Sequence, residues 1–74
     1  MTRINAAQVD DVFTYHPATP DQQKRYEIVR DAIINAAHTI LEQVPDCADR
    51  SQAIRTLREA RMWANAAIAL EGRY

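Results

Sequence analysis

The sequence predicts an all-α protein: an antiparallel hairpin of two long helices behind a short N-terminal helix or arm, assembling into a homo-oligomer. Three observations carry this. The single glycine, Gly72, and the three prolines, Pro17, Pro20 and Pro45, stand at the edges of long uninterrupted stretches, where such residues start, stop or separate helices. Between them, apolar residues recur at steps of three and four, the helical period. A lone cysteine, Cys47, permits no internal disulfide. A chain of 74 residues buries too little surface to be comfortable alone, so further burial is expected from other copies.

The chain reads as one domain, 1–74, beginning with an arm over 1–18. Within it, "NAAQVDDVF" predicts a short helix capped by Asn5, with Val9, Val12 and Phe13 as its apolar side. Asp10 and Asp11 fall late in that helix, where the dipole disfavours negative charge, so it should be weak. Pro17 biases His16 towards an extended backbone.

The first long helix is expected over 20–44. Thr19 suits its N-cap, Pro20 its first position, and Thr19 with Gln22 has the spacing of a capping box. Pro45 ends it. Tyr26, Val29, Ile33, Ala36, Ile40 and Val44 share one face, the pattern of a helix that buries a stripe. Ile34, His38 and Leu41 form a second, weaker face. A short turn, "PDCAD", leads to the second long helix over 47–70, with Asp46 or Asp49 as cap and Gly72 as the stop just past its end. Ala53, Leu57, Ala60, Ala64 and Ala67 form its stripe, bordered by Ile54, Arg61 and Ile68, with Met62, Trp63, Ala66 and Leu70 as further apolar surface. Helices joined so briefly run antiparallel. Facing alanines allow close approach, and the apolar surface left over should meet other subunits.

Composition narrows the function classes. Nine basic and ten acidic residues give a net charge of −1, without the global basic excess of a nucleic-acid polymer binder. No apolar run approaches the ~20 residues of a membrane span, and the start "MTRINAAQ" lacks a signal-peptide core. The expectation is a soluble protein of a reducing compartment, with no membrane association. No catalytic signature, metal-ligand spacing or phosphate loop is visible, so neither an enzyme nor a metal or cofactor is expected. Cys47 reads as a structural cysteine and His38 as a packed or interface histidine. The basic residues Arg50, Arg55, Arg58 and Arg61 read first as a solvated face. Lys24, Arg25 and Arg30 flank the start of the first long helix beside Tyr15 and Tyr26. Arginine can hold a phosphate through paired hydrogen bonds and aromatic rings can stack on bases, so these residues would make a nucleotide site if brought together across subunits. Tyr26 also lies on the core face, where packing is its default role.

Two stretches are more specific. "FTYHPATPDQQKRYEIVRDA", residues 13–32, and "MWANAAIAL", residues 62–70, together resemble the phage anti-CBASS cyclic-nucleotide sponge family, whose hairpin also occurs as a domain in phage proteins that counter the Thoeris system. The shared features are Tyr15-His16-Pro17, Arg25-Tyr26-Glu27, Arg30 and the run from Met62 to Ala69. The resemblance implies a small helical hairpin that assembles into hexamers, catalyses nothing, and sequesters cyclic dinucleotide immune messengers such as cyclic GMP-AMP in the cytoplasm, that of the bacterial host if phage-encoded. It further implies that the pocket forms where two N-terminal regions meet, with Tyr15 stacking on a base and Arg30 contacting phosphate. Tyr15, His16, Lys24, Tyr26 and Arg30 are then the candidate ligand residues. The resemblance also implies, for many members, a basic residue after Ala-Ala-Ile-Ala that is linked to a second site, for cyclic trinucleotides. Leu70 stands there in this chain, and Arg73, three residues on, is the candidate substitute. Two readings from other classes stand beside the sponge. One is a helical interaction protein that masks a partner through its apolar face. The other is a DNA-binding regulator, which the charge and the lack of a helix-turn-helix spacing disfavour.

Overall fold

The computed structural model describes residues 4–74. Three helices follow one another: α1 over Ala6–Phe13, α2 over Pro20–Gln43 and α3 over Ala48–Ala69. No strand occurs among the described residues, and no helix there is long and apolar enough to cross a membrane.

Each helix start can be traced to local chemistry. Asn5 caps α1 in full: its Oδ1 accepts the Gln8 amide at 2.9 Å while Gln8 Oε1 accepts the Asn5 amide at 2.8 Å. This reciprocal box satisfies two N–H groups that a helix start leaves without partners. The expected box at α2 is present too. Thr19 Oγ1 accepts the Gln22 amide at 3.1 Å and Gln22 Oε1 accepts the Thr19 amide at 3.0 Å, with Pro20 opening the helix. At α3 the structure corrects the expectation. The N-cap is Cys47, in extended conformation, and no side chain caps the helix. Neither aspartate is free for that role: Asp46 Oδ1 pairs with Arg50 Nη2 at 3.0 Å, and Asp49 already lies in the first turn, where its charge favours the dipole.

The end of α3 is a tight reversal. The Gly72 amide bonds the Ala67 carbonyl at 3.0 Å and the Glu71 amide bonds the Ile68 carbonyl at 3.1 Å, the two bonds of a Schellman turn. The left-handed position just past the cap is held by Glu71, at φ 51°, with Gly72 following at φ 75°. The expected stop at Gly72 is therefore shared, and the residue that glycine usually provides is a glutamate.

Only α2 and α3 pack against one another. The start of α2 meets the end of α3: Gln22 Nε2 donates to the Ile68 carbonyl at 3.1 Å and to Glu71 Oε1 at 2.9 Å, and Arg25 Nη2 binds the same carboxylate oxygen. At the other end, Arg50 Nη1 donates to the Leu41 carbonyl at 3.4 Å. Between these ties Tyr26, Val29, Ile33, Ala36 and Ile40 of α2 are half-buried, as their spacing predicts. On α3 the covered residues include Ala53, Ile54, Leu57, Ala64, Asn65 and Ile68, whereas Ala60 and Ala67 stay exposed. The contact stripe is thus rotated from the alanine line towards the two isoleucines, which offer more surface to bury.

Among the described residues no hydrophobic side chain is fully buried; the most enclosed is Gln22, at 8% exposure. A single layer of helices has no interior. The chain exposes 6064 Å², against about 4,600 Å² for a compact monomer of this mass. Gln22 is tolerated in the least solvated position because both its N–H groups and its oxygen are bonded, which leaves no polar atom to desolvate unpaired. Replacing Gln22 by Ala removes three bonds at once and leaves the Ile68 and Thr19 groups short of partners. It should cost about 1–3 kcal/mol, read as a lower urea midpoint with unchanged slope; a shift below about 0.5 kcal/mol would show that the junction bears little of the stability.

Candidate functional site

The end of α1 and the segment that follows it hold two highly exposed aromatic residues. Phe13, the last residue of α1, is 84% exposed and Tyr15, in the segment, 83%. The turn around Tyr15 is built from carbonyls that the end of α1 leaves unpaired. Thr14 Oγ1 donates to the Asp10 carbonyl at 2.6 Å, and the Thr14 amide bonds the Asp11 carbonyl at 3.3 Å. His16 Nε2 donates to that same carbonyl at 2.7 Å. A carbonyl can only accept, so Nε2 carries the proton and Nδ1 is the nitrogen left to accept in the neutral ring. Tyr15 is thereby framed by two residues bonded to α1, and Pro17 limits the chain that follows.

The other expected ligand residues lie on α2. Lys24 and Arg30 are exposed and Tyr26 is half-buried on the face turned towards α3. Arg30 Nη2 stands 3.5 Å from Asp31 Oδ1, a loose pair on a half-exposed side chain, so its guanidinium is available to an incoming anion. Arg25 differs. Its Nε lies 3.1 Å from Asp21 Oδ2 and its Nη2 on Glu71, so it joins α2 to the end of α3. Tyr15 and His16 therefore sit in one turn and Lys24, Tyr26 and Arg30 on the first turns of one helix. Among the described residues no cluster of three or more histidine, cysteine or carboxylate side chains could hold a metal ion.

A second feature lies at the end of α3. A cleft of about 240 Å³ is lined by Trp63, Ala66, Leu70, Arg73 and Tyr74, among others. Arg73 is engaged twice there: Nε donates to the Leu70 carbonyl at 2.8 Å, and Nη1 lies 3.4 Å from Asp11 Oδ2. Tyr74 Oη donates to that same Asp11 oxygen at 2.6 Å. Sequence reasoning missed Asp11, Glu71 and Tyr74. A carboxylate late in α1 was the available signal, because a charge disfavoured by the dipole needs a partner.

Two carboxyls are held below the usual carboxylate range. For Glu71 the main cause is the hydrogen bond from Arg25, then that from Gln22; for Asp11 it is the bond from Tyr74, with the charges of Arg73 and His16 adding to it. A folded-state value below the unfolded one adds stability that is present above about pH 4 and is lost as pH falls through the folded value. Melting temperature should therefore drop on acidification below about pH 4, and Glu71→Gln should flatten that drop while leaving the Asp11 contribution. An acid limb of unchanged steepness in Glu71→Gln would place the titration elsewhere.

No curated protein and no solved structure matches the chain significantly. A family model does: that of the Acb2/Tad1 hairpin domain, over residues 5–69, which takes in α1, the turn that carries Tyr15, and both long helices. The chain belongs to the Acb2/Tad1 hairpin family, the family of anti-CBASS and anti-Thoeris sponge proteins.

Proposed function

We propose that this protein is a non-enzymatic sponge that binds and sequesters cyclic dinucleotides such as cyclic GMP-AMP, and so starves CBASS effectors of their activator. The observation that carries the reading is the family match over residues 5–69, which encloses an aromatic side chain, Tyr15, held almost fully exposed in a braced turn. An exposed aromatic in a restrained turn loses little freedom when a base stacks on it.

In this reading residues 1–74 form one antiparallel hairpin unit that works as a homo-oligomer, a hexamer by family likeness. Three facts support assembly: the lack of a buried apolar side chain among the described residues, the excess of exposed surface, and the large exposed side chains Phe13, Ile28, Met62 and Trp63. A cyclic dinucleotide offers two bases and two phosphates. Two subunits related by a two-fold axis offer two copies of Tyr15 and of Arg30, which matches the ligand with few residues per chain. His16 supports the turn, Lys24 adds positive charge at the mouth, and Tyr26 backs the helix. The ligand is held by stacking and charge-assisted hydrogen bonds, and no bond in it breaks. A trinucleotide site at Arg73 is less favoured, since that guanidinium would first have to leave the Leu70 carbonyl and Asp11. If phage-encoded, the protein would act in the cytoplasm of the bacterial host.

Isothermal titration with cyclic GMP-AMP, cyclic di-AMP, cyclic di-GMP and a cyclic trinucleotide tests the reading. Binding near one dinucleotide per two chains, with intact ligand recovered, is expected. Tyr15→Ala should lose about 1–3 kcal/mol per stacked base, and Arg30→Ala about 1.5–3 kcal/mol, with the sedimentation profile unchanged. Loss of the assembly in both variants would make these residues structural, and absence of heat with every ligand would direct attention to a masked protein partner. Separately, the melting temperature should rise with protein concentration, because assembly is linked to folding by mass action; a concentration-independent value would mark the monomer as self-sufficient.

A further inference from the structure

We propose that Tyr74 latches the N-terminal arm to the end of α3 through Asp11, and is thereby a positioning residue for the Tyr15 turn. The inference rests on the reading of Tyr15 as a ligand contact.

Three pieces of the chain meet here. The first is α1 with its turn. Thr14 and His16, on either side of Tyr15, are both bonded to carbonyls at the end of α1, so Tyr15 goes where α1 goes. The second is the pair of long helices, closed at one end by Gln22, Arg25 and Glu71. The third is the reversal after α3, which points Arg73 and Tyr74 back towards the arm. Helix α1 packs against neither α2 nor α3, so helix packing does not hold the first piece to the second. Two links remain among the described residues. One is the covalent segment through Pro17 to Thr19, with a long Gln23 bond to the Ala18 carbonyl at 3.5 Å. The other is the carboxylate of Asp11, which receives Tyr74 Oη at 2.6 Å and faces Arg73 Nη1 at 3.4 Å.

The covalent segment fixes distance and leaves direction open. A second attachment, 63 positions away in sequence, sets the direction. Tyr74 suits this task better than a flexible side chain would, because a ring with two torsions loses little entropy on being held. Its phenol also lies on the reversal that the Gln22–Glu71 bond secures, so the latch is referenced to the long helices rather than to a loose tail.

The test uses the full chain and cyclic GMP-AMP in a titration of four proteins: wild type, Tyr74→Phe, Tyr15→Ala and the double variant. Tyr74→Phe deletes one hydroxyl and keeps the ring. The expected result is an affinity about two- to tenfold weaker in Tyr74→Phe, with no further loss when the same change is made on Tyr15→Ala. Non-additivity of that kind marks a residue that acts through Tyr15. Wild-type affinity in Tyr74→Phe, or a loss that adds in full to that of Tyr15→Ala, overturns the proposal. Hydrogen exchange of the unliganded protein separates this failure from failure of the site itself. The Val9 and Thr14 amides, which bond within α1, should exchange faster in Tyr74→Phe while α2 and α3 are unchanged. Should Tyr15→Ala bind as tightly as wild type, the site reading falls; faster exchange then leaves the latch standing as an anchor of the arm, and unchanged exchange removes the latch as well.

Discussion

The side-chain amide of Gln22 joins three parts of the chain: the backbone of the α2 cap at Thr19, the backbone of the last turn of α3 at Ile68, and the carboxylate of Glu71 in the reversal. Everything that the arm and the tail do depends on that junction. It fixes which residue of α2 lies opposite which residue of α3, and it stabilises a glutamate in a left-handed backbone that costs of order 1 kcal/mol for a residue with a Cβ. Glycine would relieve that strain. It would also remove the carboxylate on which Gln22 and Arg25 converge, and Arg25 would then stand partly enclosed with only Asp21 as its partner.

The polar junction matters because apolar burial within one chain is slight. Ordering a residue costs of order 1–2 kcal/mol in conformational entropy, and here no apolar side chain among the described residues is fully withdrawn from water in return. Specificity of register comes from hydrogen bonds, since Gln22 and Arg25 tie the start of α2 to particular residues at the end of α3. In the proposed sponge, each chain would need only to hold its own turn and helix in register, and assembly would complete the site.

Much of this was legible in the sequence, because it rested on neighbours. Thr19 with Gln22, Pro20, Pro45 and the α2 face from Tyr26 to Ile40 obey rules of spacing that hold within a few residues. Most departures from the sequence expectation are long-range. Asp46 is the local exception: it pairs with Arg50, four residues on, and does not cap α3. The alanine line of α3 supplies only part of the contact face: Ala53, Leu57 and Ala64 are covered, Ala60 and Ala67 are not, and Ile54 and Ile68 are covered as well. Gln22 was read only as a cap; its bonds to residues 46 and 49 positions away have no local signature. The same holds for Asp11 and Tyr74. For the candidate site, the motif around Tyr15 and Arg30 was visible, whereas the bracing of the turn by Thr14 and His16 depends on where the end of α1 leaves its carbonyls.

The single tryptophan gives this architecture an optical handle. Trp63 is 70% exposed on the outer side of α3, its indole N–H 3.4 Å from Glu59 and its ring on the wall of the cleft beside Arg73 and Tyr74. An indole in that position emits as a hydrated fluorophore. A sister chain or other molecule seated on this face of α3 would strip water from that ring and displace its emission towards the blue, so the protein carries its own reporter of that face being covered.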